Sequence, residues 1–239
     1  MAGEPRQFVR FAFYMLEPEW RRLPASERDE QRSDFAHIVD EWADRILVRS
    51  YSTIGTRGDC DFMIWQVSPN LDDIQAFASD VLSSDLGAYL TTPYHYLSMT
   101  KHSTYVSEHV HEGQEGSRLT IAPGGSKYLF VYPFTKTRPW YRLPMNERQR
   151  IMNAHIAMGH RYPTVKINTT YSFGIDDYEF VLAFETDKPA DFLDLVQELR
   201  GTESSSYTLI DTPIFTCVST PIREILQSLR HDSRRVAAV

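Results

Sequence analysis

"WRRLPASER" occupies residues 20–28 and "WYRLPMNER" occupies residues 140–148, and six of the nine positions are identical. A match this dense inside one chain has to be understood before any element is named, because a repeated unit decides the architecture. Working outward at the same offset of 120, Phe11 falls on Val131, Tyr14 on Phe134 and Trp20 on Trp140. Farther on, "GTRGDCDFMIWQVSPNLDDIQAF" is similar to "GIDDYEFVLAFETDKPADFLDL", with Phe62 on Phe180 and Tyr89 on Tyr207 at an offset of 118. Two copies of one unit are therefore expected, over residues 6–107 and 126–222.

The second copy shows the order of elements more clearly. "KYLFVYPF" is dense in aromatic and β-branched residues and reads as a strand. Pro144 and Asn146 signal a helix start, with Asn146 as the candidate N-cap. Ile151, Met152, His155, Met158 and Gly159 recur at helical spacing, which predicts a buried face. "TVKINTTYSF" and "YEFVLAFET" read as strands around the turn "GIDD". Pro189 suits a first helical turn, and Phe192, Leu195, Val196 and Leu199 form that helix's apolar face. "SYTLIDTPIFTC" supplies a last strand. The order β-α-β-β-α-β predicts an α+β fold of two tandem ferredoxin-like units with antiparallel sheets, helices on one face of each. "HEGQEGSRLTIAPGGS" reads as the connecting loop, and the chain from about residue 226 as helical, then fraying.

Composition bounds the function. The 239 residues are 42% apolar and 24% charged, ordinary for a soluble globular protein. No apolar run is long enough to span a bilayer, and "MAGEPRQF" lacks the apolar core of a secretory signal, so a cytoplasmic location is expected. Cys60 and Cys217 are far apart, which supports neither a disulfide framework nor a cysteine-built metal site. A net charge of −7 with no basic run argues against nucleic acid, so an anionic ligand must be held by a few placed cations.

Pairing the repeats shows what the second copy acquired. Ala12 becomes Tyr132, Leu16 becomes Lys136, Phe35 becomes His155 and Leu82 becomes Arg200. A buried polar group without a partner costs about 1–3 kcal/mol, so four such exchanges point to a polar ligand site in the second unit. Each residue alone has an ordinary reading: a satisfied core histidine, a half-buried tyrosine, solvated cations whose stems cover apolar area. Together, one imidazole, several cations and a phenol suit a flat, carboxylate-bearing iron porphyrin.

The stretch "YPFTKTRPWYRLPMNERQRIMNAHIAMGHRYPTVKINTTYSFGIDDYEF" resembles the chlorite dismutase-like haem protein family, and within it the coproheme decarboxylases of haem biosynthesis. The matching motifs are Tyr132 to Lys136, the Trp140–Tyr141 pair, the helix His155, Gly174 to Glu179, and Arg200. The resemblance implies His155 as the iron ligand, Tyr132 as a radical site and Lys136 as a partner of the reacting propionate. It further implies propionate contacts from Arg118, Arg200 and Ser205, the "SSS" at 204–206 leaving the serine's register open. The implied reaction converts coproheme, at once substrate and redox centre, to haem b with hydrogen peroxide, in a ring that is most often a homopentamer.

Ile167 stands where true chlorite dismutases place a distal arginine, while Lys166 points to the other face by strand alternation. An apolar wall gives chlorite no cation. In some members a loop histidine supplies the distal group, for which His109 and His111 are the candidates. The alternatives to a decarboxylase are a haem-binding or delivery protein without turnover, a haem peroxidase or chlorite-degrading enzyme, and a cofactor-free barrel protein. Fold alone does not choose among them.

Overall fold

The computed structural model describes residues 6–105 and 119–229. In chain order the elements are β1 (Phe8–Leu16), α1 (Ala25–Ala43), β2 (Leu47–Ser52), β3 (Phe62–Ser68), α2 (Leu71–Ser83), β4 (Leu90–Met99), β5 (Tyr128–Lys136), α3 (Arg138–Arg142), α4 (Met145–Gly159), β6 (Lys166–Tyr171), β7 (Phe180–Thr186), α5 (Pro189–Arg200), β8 (Thr208–Ile210), β9 (Phe215–Ser219) and α6 (Ile222–Ser228). The chain divides into two compact units. One holds residues 10–95 and those from 218 on, the other residues 96–217 with the first strand's opening residues.

In the first, the strand order is β4-β1-β3-β2. Alternation along β1 sends Ala12, Tyr14 and Leu16 to one face, where they meet Phe62 and Ile64 of β3, Phe35, Val39 and Trp42 of α1, and Phe77 and Val81 of α2. The cluster is aromatic-rich and closed, with Phe35, Phe62 and Phe77 fully buried.

In the second, the order is β8-β5-β7-β6, the same ferredoxin-like arrangement, with antiparallel pairing throughout. Phe130, Tyr132 and Phe184 of the sheet pack on Phe192 and Leu195 of α5. The hairpin turns match as well. Gly55 and Gly174 both take a positive φ, 81° and 71°, beside the bridges Ile54–Arg57 and Phe173–Asp176. A side chain is disfavoured at both positions.

The structure corrects three local expectations. Helix α4 opens at Met145 with Pro144 at the cap position, so Asn146 lies inside the first turn and caps nothing. A short α3 precedes it, started by Pro139 in its first turn. The last predicted strand is two, β8 and β9, parted at Pro213, which has no N–H to give a ladder. The α4 stripe is not a buried face: only Ile151 is buried, and Met152, His155, Met158 and Gly159 are half-exposed. A fully apolar stripe would have closed on the sheet; this one carries an imidazole and two thioethers, and it stays open.

Candidate functional site

The site grows from the register of three strands. Tyr132 lies opposite Leu182, and Leu182 opposite Thr169. One row away, Phe130 lies opposite Phe184, and Phe184 opposite Ile167. Directly opposed residues share a face, so Tyr132 and Ile167 look out from the same side of the sheet, with adjacent strands about 4.8 Å apart. Lys166 falls on the other face, as alternation predicted, where it reaches Ala122 O and lies 4.0 Å from Glu185. Tyr132 is 7% exposed and stacks on Phe184 with ring centroids 5.8 Å apart. Burial drives its phenol pKa above the usual tyrosine range; the Arg200 cation opposes this and Asp211 adds to it. Ile167 is 45% exposed, an apolar side chain left open among the described residues.

Lys136 ends the same strand, at a register shift between Thr135 and Lys136. Such an irregularity re-aims a side chain. Here it sends the ammonium inward: Lys136 is 7% exposed, and Nζ donates to both the carbonyl and the Oγ of Ser204 at 2.9 Å. The Trp140 ring centroid lies 4.7 Å away. Burial lowers the amine pKa to about 8, against the pull of the Glu179 carboxylate. The solvated-cation reading of Lys136 therefore fails. Glu179 in turn accepts the Lys136 backbone N–H at 2.8 Å and the Tyr141 hydroxyl. Tyr141 of the W-Y pair and the acid of the G-I-D-D-x-E turn are thus one hydrogen-bonded brace on the Lys136 backbone.

His155 projects from α4. Its Nδ1 is buried without a hydrogen-bond partner among the described residues. Burial lowers its pKa to about 4, and the nearby Lys136 cation adds to the effect. The imidazole is neutral at physiological pH, the form that binds a metal. An unpartnered buried nitrogen costs about 1–3 kcal/mol, which fits a group whose partner arrives with a ligand.

The remaining predicted residues divide. Arg200 is exposed and paired to Asp211, close enough to Tyr132 to act on its phenol. Its repeat counterpart Leu82 is 48% exposed, so that exchange is a surface one, unlike the buried Ala12, Leu16 and Phe35. Ser205 is half-buried, one residue beyond the Ser204 that meets Lys136. Arg118, His109 and His111 lie outside the described residues. Sequence reasoning missed Ser204 because three consecutive serines carry no register of their own. It missed the Tyr141–Glu179 bond because both residues were read as separate motifs. A neutral imidazole, a buried ammonium met only by neutral acceptors and an open apolar wall fit a carboxylate-bearing metalloporphyrin.

Comparison with known proteins identifies the family. Residues 28–220 match the chlorite dismutase family. The chain is 30% identical over 210 residues to the coproheme decarboxylase of Mycolicibacterium smegmatis, covering 84% of this chain and 88% of that protein. Its fold superposes on chlorite dismutase from Candidatus Nitrospira defluvii in complex with imidazole with a TM-score of 0.83 and 28% identity, covering 93% and 94% of the two chains. A mutant of that enzyme gives a TM-score of 0.84 at 27% identity over the same shares. None of the described helices is long and apolar enough to cross a membrane. With most of its length matched and its two ferredoxin-like units in place, the chain belongs to the chlorite dismutase family.

Proposed function

We propose that this protein is a coproheme decarboxylase that uses hydrogen peroxide to convert two propionates of coproheme to the vinyl groups of haem b. For each propionate, the carboxylate, one peroxide and one proton give a vinyl group, carbon dioxide and two waters. The observation that carries the reading is the placement of a buried phenol, Tyr132, and a buried ammonium, Lys136, on one strand. A carrier needs the ammonium but has no use for the phenol.

Coproheme iron with peroxide supplies the oxidising power. The residues do the rest. His155 offers a neutral imidazole nitrogen to the iron. Lys136 fixes a propionate carboxylate by a charge-assisted hydrogen bond, with Arg200, Ser205 and Arg118 as further anchors for the others. Tyr132, protonated across the physiological range, holds a hydrogen atom to give up and take back beside the anchored propionate. Ile167 keeps the facing wall apolar, consistent with a substrate that brings its own charge and with no affinity for chlorite. The site belongs to the second of two tandem units, residues 126–222, and the family resemblance extends the proposal to a cytoplasmic homopentamer.

The deciding experiment adds coproheme and peroxide to the protein and to Tyr132→Phe and follows products by mass spectrometry. Phenylalanine keeps the shape, so the variant should bind coproheme and yield almost no haem b. A normal haem b yield from Tyr132→Phe, or none from the unaltered protein, would refute the assignment.

A further inference from the structure

Lys136 raises a question that the reaction does not answer: what keeps a flexible four-carbon stem and its charge in one place before any carboxylate arrives? Its ammonium has three donors. Two go to a single residue, Ser204, through the carbonyl and Oγ at 2.9 Å each. Ser204 is 2% exposed. It sits on a 3-10 turn, Glu203–Tyr207, that follows α5. That turn is tied to the strand carrying Lys136 through Thr137 N to Tyr207 O at 2.8 Å and the pairing of Lys136 with Thr208. The hydroxyl hydrogen of Ser204 points to Met152 Sδ, 3.9 Å away on α4, which leaves the oxygen lone pairs for the ammonium. At the other end of the residue, the Lys136 backbone N–H is fixed by Glu179. The ring of Trp140 covers one side of the charge. The third ammonium hydrogen has no acceptor among the described residues, and a carboxylate supplies one.

We propose that Ser204 is a positioning residue: its carbonyl and hydroxyl hold the Lys136 ammonium in one place before a carboxylate arrives, ready for the propionate that reacts. The inference rests on the coproheme reading for the identity of the carboxylate. It does not rest on it for the lysine–serine pairing. Ser204 touches neither substrate nor iron in this role; it acts through Lys136.

A double-mutant cycle separates positioning from mere packing. Ser204→Ala, Lys136→Met and the double variant are compared in two measurements on the full chain without iron. The first is urea unfolding of the empty protein. The second is fluorescence titration with metal-free coproporphyrin III, which has four carboxylates, and protoporphyrin IX, which has two. Ser204→Ala should lower stability when Lys136 is present and leave it unchanged in the Lys136→Met background. It should weaken coproporphyrin III binding by roughly tenfold, the loss of one charge-assisted hydrogen bond, again only when Lys136 is present. Ser204→Thr, which keeps the hydroxyl, should restore both. Equal losses from Ser204→Ala in the two backgrounds would overturn the proposal, leaving Ser204 a packing residue while the coproheme reading stands. An unaltered protein that binds both porphyrins equally would overturn the carboxylate role together with that reading, whatever the stability cycle gives.

Discussion

The hydroxyl of Tyr141 donates to the carboxylate of Glu179, across 38 residues of sequence. The same carboxylate accepts the backbone N–H of Lys136 at 2.8 Å, and the guanidinium of Arg138 stands 3.5 Å off. Glu179→Ala therefore strands a buried backbone donor and a phenol together. Hydrogen bonds to a charged group are worth about 1.5–3 kcal/mol, so the loss should be roughly 2–4 kcal/mol in urea unfolding. Tyr141→Phe removes one donor and should cost about 1–2 kcal/mol. Glu179→Ala being no worse than Tyr141→Phe would show that the backbone bond contributes nothing.

The ammonium of Lys136, with its pKa lowered to about 8 by burial, is charged below that pH and neutral above it. Its hold on a carboxylate is full at neutral pH and lost as pH rises. Coproheme affinity should therefore fall as pH climbs through 8 and beyond, the bound carboxylate itself holding the proton somewhat longer. Lys136→Met should be weaker at pH 7 by roughly ten- to a hundredfold and flat across the same range. Parallel pH curves for the two proteins would locate the titrating group elsewhere.

The iron ligand is tested by spectrum. His155→Ala should bind haem b without the absorption of a five-coordinate histidine complex, and exogenous imidazole should restore it. His160, at the C-cap of α4, is the neighbouring imidazole. Loss of the signal in His160→Ala, with His155→Ala unaffected, would move the ligand by more than one turn of helix.

Chlorite tests the wall. With Ile167 on the Tyr132 face of the sheet, the haem-loaded protein should release little or no oxygen from chlorite. Ile167→Arg places a cation on that face and should raise the rate. Rapid oxygen release by the unaltered protein would mean that the wall is not what faces the iron.

Much of this was legible in the residues, for physical reasons that differ from place to place. The strands of the second unit announce themselves because β-branched and aromatic residues crowd "KYLFVYPF" and "YEFVLAFET" between turn residues. That Lys166 and Ile167 lie on opposite faces follows from alternation, which needs no side-chain detail, whereas the face Ile167 shares with Tyr132 is set by a strand register that the sequence does not state. The Ala12-to-Tyr132 and Phe35-to-His155 exchanges stood out because the first copy displays the apolar version of the same site, fully buried. Other features were out of reach. Periodicity makes a stripe on α4 but does not say how far anything covers it, and the half-exposed Met152 and Met158 show that the described residues cover it only in part. The inward turn of Lys136 depends on a register shift at Thr135, which leaves no mark in composition. Arg200 reads the same in sequence whether buried or, as found, exposed and paired with Asp211.

An ammonium buried against a serine and a tryptophan ring is a standing burden on the ligand-free fold. Removing it should make the protein tougher: Lys136→Met, close in length and apolar, is expected to raise the melting temperature of the empty chain while abolishing turnover. A screen for heat resistance alone would select the dead variant. The same burden lifts when a carboxylate arrives, because a ligand that binds only the folded chain stabilises it in proportion to its concentration. Inside a cell, unfolded chains are the ones proteases remove, so the amount of this protein that survives should follow the supply of its own substrate.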